Sequence, residues 1–280
     1  MKDISPDLES AEVWLNDNAP HGASMRRLAD YLGYSESHLR RLFTRQFGQS
    51  PGRYRDLLRL ERAAVLLART RLPIIEIAIQ CGYSSHPIFT RAFHHKHGVS
   101  PRTFRLQFEH RNQLALAQLP HSASLVDCQP RIIYDVHHDL YLARHYGELD
   151  LEGQQHAWHY YMRHAHFSRQ TCLKAQAAWL YHDDPVITPG ERIRTDLGMS
   201  VSHQRHLPAG RFFRHTRVEI ERAVTVRFAT AAEIAPLRTF LTLRWLPQHG
   251  ESIDGNASSV LFDAADRCDG PGSLTIPLLS

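Results

Sequence analysis

The chain has 280 residues, more than the ~100 to 150 of one typical domain, so two domains with separate cores are expected. Hydrophobic residues make up 42% and charged residues 22%, the balance of a globular chain, which excludes a disordered or low-complexity protein. The net charge of +4 is uneven: residues 1–115 hold 17 Lys and Arg against 11 Asp and Glu, and residues 116–280 hold 16 against 18, so only the first part suits a polyanion.

No apolar run approaches the ~20 residues of a membrane span, and the polar opening MKDISPDLES lacks the order of a secretion signal. The sequence therefore predicts a cytoplasmic protein without a membrane partner. Cys81, Cys128, Cys172 and Cys268 are too dispersed to frame disulfides or a zinc site, and no metal or cofactor is expected.

In chain order, the first apolar-periodic segment is Met25 to Leu32. Gly-Tyr-Ser follows, then a helix in which Leu39, Leu42 and Phe43 share one face. The segment RYRDLLRLERAAVLLART predicts one continuous helix with Leu57, Leu60, Ala63, Ala64 and Leu67 inward and arginines on other faces. After Ile74 to Cys81 the pattern repeats: GYSESHLRRLFTRQFGQSPGRYR at 33–55 returns as GYSSHPIFTRAFHHKHGVSPRTFR at 82–105. Each copy reads as helix, turn, helix. Gly33 and Gly82 stand where the chain leaves one helix and positive φ is expected; Ser35 and Ser85 are placed to cap the next helix, and Pro87 falls in its first turn.

The second helix of each copy commits one face to the core, Phe89, Ala92 and Phe93 being the second set. The opposite face is left for double-stranded DNA. It comprises Ser35, Glu36, Ser37, Arg40, Arg41 and Arg45 in the first copy, and Ser85, His86, Pro87, Thr90 and Arg91 in the second. Arginine can donate two parallel bonds to guanine, which makes Arg41 and Arg91 the leading base readers, with a phosphate contact as the alternative role. His94, His95 and His97 are expected to face solvent or phosphate. Two such helices in successive major grooves would lie about 34 Å apart.

These residues resemble the AraC/XylS family of transcription regulators over about 100 residues. The resemblance is carried by Arg59-Leu60-x-x-Ala63-x-x-Leu66-Leu67, Ile77-Ala78-x-x-x-Gly82-Tyr83, Phe89-x-Arg91-x-Phe93 and Gly98-x-Ser100-Pro101-x-x-Phe104-Arg105. It implies a paired helix-turn-helix fold and activation through contact with RNA polymerase. His97 departs from the family, which commonly has an apolar or aromatic residue there.

Beyond Arg105 the periodicity fades, and Pro120, Ser122 and Ser124 mark a linker. The expected organisation is a DNA-binding domain at 1–111, a linker at 112–130 and a second domain at 131–280. In the second, β-like runs at Ile132–Tyr134 and Tyr141–Tyr146 precede a helix from Glu152 to His166. Strands at Ala177–Tyr181, Ile193–Ser202 and Arg211–His215 follow, then a helix from Ala232 to Leu246 and strands near Val260 and Leu274. The fold class is thus multidomain: an all-α tandem helix-turn-helix part, then an α+β domain with two pseudo-symmetric halves. His182-Asp183-Asp184 before Pro185 reads as a solvated turn rather than a metal site. Trp158, Trp179 and Tyr181, with Phe262 and Asp263 opposite, are candidate walls of a ligand cavity; ordinary core aromatics are the competing reading.

The stretch WLYHDDPVITPGERIRTDLGMSV at 179–201 is similar to the gyrase-inhibitor-like effector-binding domain, through Asp184-Pro185, Pro189, Arg194 and Asp196. Tyr146-Gly147, Gly210-Arg211-Phe212 and Trp245-Leu246-Pro247 occur in that family's order, and DNA binding followed by this domain is the order of Rob-like regulators. The resemblance implies a cavity for a small amphipathic, often cationic, ligand. SSVLFDAAD departs from the usual acidic-then-aromatic pair, so an inward Asp263 predicts cationic ligands and an outward one neutral hydrophobes. The expected function is a sequence-specific, ligand-modulated transcription activator and not an enzyme. The alternatives are a second domain that binds only protein, or one that hydrolyses reactive small molecules, for which His145 with Glu148 is the kind of pair required.

Overall fold

The computed structural model describes residues 4–19, 24–119, 128–164, 175–200, 213–265 and 268–279. The chain divides into two units, residues 1–109 and 110–280. The first is helical. Its opening helix α1 (Pro6–Asn18) is one the sequence reading left unassigned, although Leu8, Ala11 and Leu15 recur at three- and four-residue spacing and are all buried.

Helices α2 (Met25–Leu32) and α3 (Glu36–Phe47) form the first helix-turn-helix, and α5 (Ile74–Gln80) and α6 (His86–His97) the second. Both turns are built the same way. Gly33 has φ +70° and Gly82 φ +78°, the left-handed conformation that glycine enters without a Cβ penalty. The Gly33 and Tyr34 amides donate to the Asp30 and Ala29 carbonyls at 3.2 and 2.9 Å, and the Gly82 and Tyr83 amides to those of Ile79 and Ala78 at 2.9 Å each. The same pair of bonds closes both turns, although α3 begins three residues after Gly33 and α6 four residues after Gly82.

Between them, α4 (Pro51–Arg69) is continuous and packs against α1, α3, α5 and α6. Leu60, Ala63, Ala64 and Leu67 are buried as expected, but Leu58 and Leu66 are buried too, while Leu57 is only half-buried. Coverage on several sides explains the shift, because the helix is a central strut and not a one-sided amphipath. The Tyr54 hydroxyl donates to the buried Glu12 carboxylate at 3.0 Å and ties α4 to α1. Helix α7 (Pro101–Ala117) runs into the stretch assigned to the linker; residues 120–127 lie outside the described ones. The expectation that His97 faces solvent is corrected: its ring stacks on Phe93 at 4.3 Å and meets Phe104 edge-on at 5.2 Å, filling the aromatic position. His94 and His95 are exposed. None of the described helices is long and apolar enough to cross a membrane.

The second unit is rich in antiparallel sheet. Strand β1 (Arg131–Tyr146) is followed by α8 (Leu151–His164), β2 (Gln176–Tyr181), a 3-10 turn at Gly190–Arg192, and β3 (Arg194–Ser200). Then come β4 (Arg214–Phe228), a 3-10 turn at Ala231–Glu233, α9 (Ile234–Phe240), which continues through a π-turn at Leu241–Trp245 into α10 (Leu246–Gln248), and β5 (Ser258–Phe262) and β6 (Gly272–Pro277). The strands close into a barrel in the order β1-β3-β2-β5-β6-β4. The two runs expected at 132–134 and 141–146 are one strand, interrupted at Asp135, where φ is +52°. Residues 165, 166, 201, 202 and 210–212, part of the expected elements and motifs, and Cys172 lie outside the described residues.

Closure leaves no edge strand to cap, and β2 shows the consequence: Ala177, Ala178, Trp179 and Leu180 are all buried, so both faces of the sheet are covered. Leu140, Leu142, Ala178 and Leu180 share one face. On β3, Gly198 lies so close to β1 that a Cβ there would collide with the Tyr141 carbonyl oxygen, and the close ladder requires glycine.

Candidate functional site

Ser35 begins α3 and Ser85 begins α6, and each hydroxyl accepts from the amide three residues on, His38 at 3.3 Å and Ile88 at 3.4 Å. These oxygens are expected both to cap the helix and to lie on the DNA face; they cap it, which pre-aims the helix N-termini. Leu39 and Phe43 bury the inner face of α3, and Phe89 and Phe93 that of α6. Opposite them, Glu36, Ser37, Arg40, Arg41 and Arg45 are exposed together on α3, and His86, Pro87 and Arg91 on α6. Thr90 is a correction, since its hydroxyl is buried and lacks a hydrogen-bond partner among the described residues. It faces the protein more than the solvent.

A residue absent from the sequence candidates organises the first face. The Arg41 Nη2 lies 3.2 Å from His38 Nδ1, one helical turn back. The His38 ring meets Tyr34 edge-on at 5.1 Å, and the Tyr34 hydroxyl donates to Asp7 of α1 at 2.6 Å. That bond, with burial and the Asp7 charge in support, raises the Tyr34 pKa and keeps its proton as the donor. The i, i+3 spacing of His38 and Arg41 was the available signal. In the second copy Ile88 stands three residues before Arg91, so no comparable bond can form.

Two helices of this kind, each with a capped start, a buried inner face and an exposed arginine, are the parts of a DNA reader. The helix-turn-helix domain family matches residues 28–107. The transcriptional regulator Rob of Salmonella typhimurium is 35% identical over 97 residues, covering 35% of this chain and 34% of Rob. The multiple antibiotic resistance protein MarA of the same organism is 29% identical over 108 residues, covering 39% of this chain and 85% of MarA. The N-terminal unit carries an AraC-type helix-turn-helix domain. A solved AraC-type transcriptional regulator from Chromobacterium violaceum is 35% identical, covering 37% of this chain and 92% of that one at a TM-score of 0.36. The chain spans about a third of the length of Rob, and all of these matches fall short of half of this chain.

In the second unit the predicted aromatic cage is not assembled. Trp158, Trp179 and Phe262 are fully buried, with Trp179 edge-on to Phe262 at 4.7 Å, and none of the three lines the cavity beside Tyr181. Asp263 points outward and pairs with the exposed Arg227. Tyr181 does line a cavity, of about 250 Å³, together with Glu148, Gln154, Ile193, Thr195 and Arg238 among others.

The His182-Asp183-Asp184 turn is a further correction. Only Asp184 behaves as a turn residue, accepting from the Val186 amide at 2.9 Å. The buried Asp183 carboxylate takes the Arg194 backbone amide at 2.8 Å and its guanidinium at 2.5 and 2.9 Å. Asp196 is fully buried, held by Arg144, Arg214 and His182, with Arg144 Nη2 at 3.0 Å and His182 Nε2 at 2.7 Å. Burial alone would raise the Asp196 carboxyl; Arg144, Arg214 and His182 outweigh it and hold its pKa well below the usual carboxylate value. For Asp183 the same opposition, won by Arg194, also lowers the pKa. No strand-order reading of the sequence brings Arg144 and Asp196 together, but Leu140, Leu142 and Arg144 alternate onto one buried face, and a charge there demands a partner.

Proposed function

We propose that this chain is a sequence-specific regulator that reads double-stranded DNA with α3 and α6, activates transcription through RNA polymerase, and is modulated by a small amphipathic ligand in its second domain. The observation that carries the DNA reading is the equivalence of Arg41 and Arg91. Both are exposed at the same step of helices whose turns are capped identically, so one rigid scaffold presents two arginines. The domain limits proposed with it are 1–111, a linker at 112–130 and 131–280.

The reading of the second domain as gyrase-inhibitor-like with two pseudo-symmetric halves is supported by its order of elements. Strand, helix, strand, strand occurs twice, and the ring order β1-β3-β2-β5-β6-β4 is unchanged in pairing when β1, β2 and β3 are exchanged for β4, β5 and β6. The cavity beside Tyr181 is the place for the ligand.

Selection of DNA from a random pool, followed by hydroxyl-radical footprinting at ~0.15 M salt, tests the central claim. Two protected patches one helical turn apart on one face, ~10 bp centre to centre, are expected. Equal affinity for selected and random duplex overturns sequence-specific reading. In run-off transcription the selected site upstream of a promoter should raise RNA output with purified polymerase; a fall would make the protein a repressor.

A further inference from the structure

The polar groups around the second-unit cavity differ in what they have left to offer. Asp183 is consumed by Arg194. The Tyr181 hydroxyl donates to Gln154 Oε1 at 3.3 Å, and Gln154 Nε2 donates to the Leu149 carbonyl at 3.0 Å. Asp150 accepts the Gly153 amide at 2.7 Å at the start of α8. Three lining side chains make no hydrogen bond or ion pair among the described residues: the Glu148 carboxylate, the Thr195 hydroxyl and the Arg238 guanidinium.

The two charges have opposite sign and come from different elements, Glu148 from the loop after β1 and Arg238 from α9. The Arg238 guanidinium carbon lies 5.9 Å from the centroid of the Tyr181 ring, an arrangement that aims the cation while leaving its N–H edges unbonded. The rest of the lining includes the apolar Ile193, Ile234 and Ala235 with the Tyr181 ring. At about 250 Å³ the space is below the ~300 to 1,000 Å³ of drug-sized sites and admits one ring with a short chain.

We propose that this cavity binds a small zwitterion with a single aromatic-sized apolar body, its ammonium at Glu148 and its carboxylate at Arg238, with Thr195 donating or accepting one further bond. This rests on the reading of the second domain as a ligand sensor and assigns the class of that ligand. A purely cationic amphiphile would leave Arg238 opposed to it, and a purely anionic one would leave Glu148 opposed. A dipolar ligand satisfies both.

Four probes sharing one phenyl body separate the outcomes on the full-length chain: phenylalanine, phenethylamine, 3-phenylpropanoate and 2-phenylethanol, measured by calorimetry. Phenylalanine is expected to bind at least about tenfold more tightly than the other three, equal to ~1.4 kcal/mol. Arg238→Gln should bring phenylalanine down to the affinity of phenethylamine without weakening phenethylamine, and Glu148→Gln should bring it down to that of 3-phenylpropanoate. If phenethylamine or the neutral alcohol binds as tightly as phenylalanine, the zwitterion assignment is overturned and the sensor reading survives. Ala235→Phe, which fills the cavity from an exposed helix position, should abolish binding of every probe. Undiminished binding to that variant, or no binding of any probe to the parent chain, overturns the cavity as the sensor site.

Discussion

Arginine does opposite work in the two units. On α3 and α6, Arg40, Arg41, Arg45 and Arg91 stand in solvent, and none of them has a carboxylate partner among the described residues. In the barrel, Arg144 and Arg194 are buried against Asp196 and Asp183. A guanidinium in solvent stays hydrated and available to a phosphate or a base edge; one buried in a barrel is committed, because removing its carboxylate would strand a charge. The residue type alone therefore says little, and the carboxylate within reach decides which role is taken.

The largest effect expected from breaking this contrast is in the barrel. Asp196→Asn leaves Arg144 and Arg214 without their countercharge and should cost the second unit ~3 to 5 kcal/mol in denaturant unfolding of the full chain. DNA affinity measured well below the melting temperature should stay unchanged. Loss of DNA binding in parallel with barrel stability would erase the distinction between the units.

Acid should reach the same two carboxylates. Asp183 and Asp196 have lowered pKa values in the folded chain, so the unfolded state binds more protons as pH falls past the ordinary carboxylate value of ~3.9. Their stabilisation is full above that value and is lost as pH drops through the folded ones. Unfolding midpoints of the second unit followed from pH 6 to pH 3 should fall below about pH 4, and the Asp196→Asn curve should fall less steeply. A midpoint independent of pH across this window would count against both pairs.

Next in size come the exposed arginines. Arg41→Ala and Arg91→Ala should each cost ~1 to 3 kcal/mol on the selected site and relax base preference, with stability shifted by no more than ~0.5 kcal/mol. If random DNA loses as much affinity as the selected site, both residues are phosphate contacts. The smallest effect concerns His38, whose bond to Arg41 has the ~0.5 to 1.5 kcal/mol net worth of a single hydrogen bond. His38→Leu should relax preference only at the base read by Arg41, and His38→Asn, which keeps an acceptor near the Nδ1 position, should restore it. Equal behaviour of the Leu and Asn variants would show that His38 acts by packing on Tyr34 alone.

The helical unit was largely legible because its signals are local. Gly33 and Gly82, the capping serines and the inward phenylalanines lie within a dozen residues of one another, and their repetition about 50 residues on leaves little choice of fold. What escaped there was either unrepeated, as with α1, or depended on neighbours from several sides, as with Leu57 and Leu58 on α4. In the barrel the strand positions were broadly readable from alternation, but the partners were not. Arg144 and Asp196 are 52 residues apart and meet because β1 pairs with β3. Trp179, which sequence placed on a cavity wall, is buried on β2 between β3 and β5, while Arg238, 59 positions further along the chain, was not a candidate although it lines the cavity with Tyr181.

The closure of the barrel also sets a timetable. Arg131 at the start of β1 is paired with Thr225 in β4, and β4 is itself completed by β6, so the ladder cannot be finished until residue 277 has left the ribosome. The helical unit draws its internal contacts from residues 1–109, and its last helix ends at Ala117. At ~5 to 20 residues per second, synthesis of the remainder takes roughly 10 to 30 s, far longer than a small helical unit needs to fold. Each nascent chain therefore exposes its helical unit, with the arginines of α3 and α6, before its barrel can close.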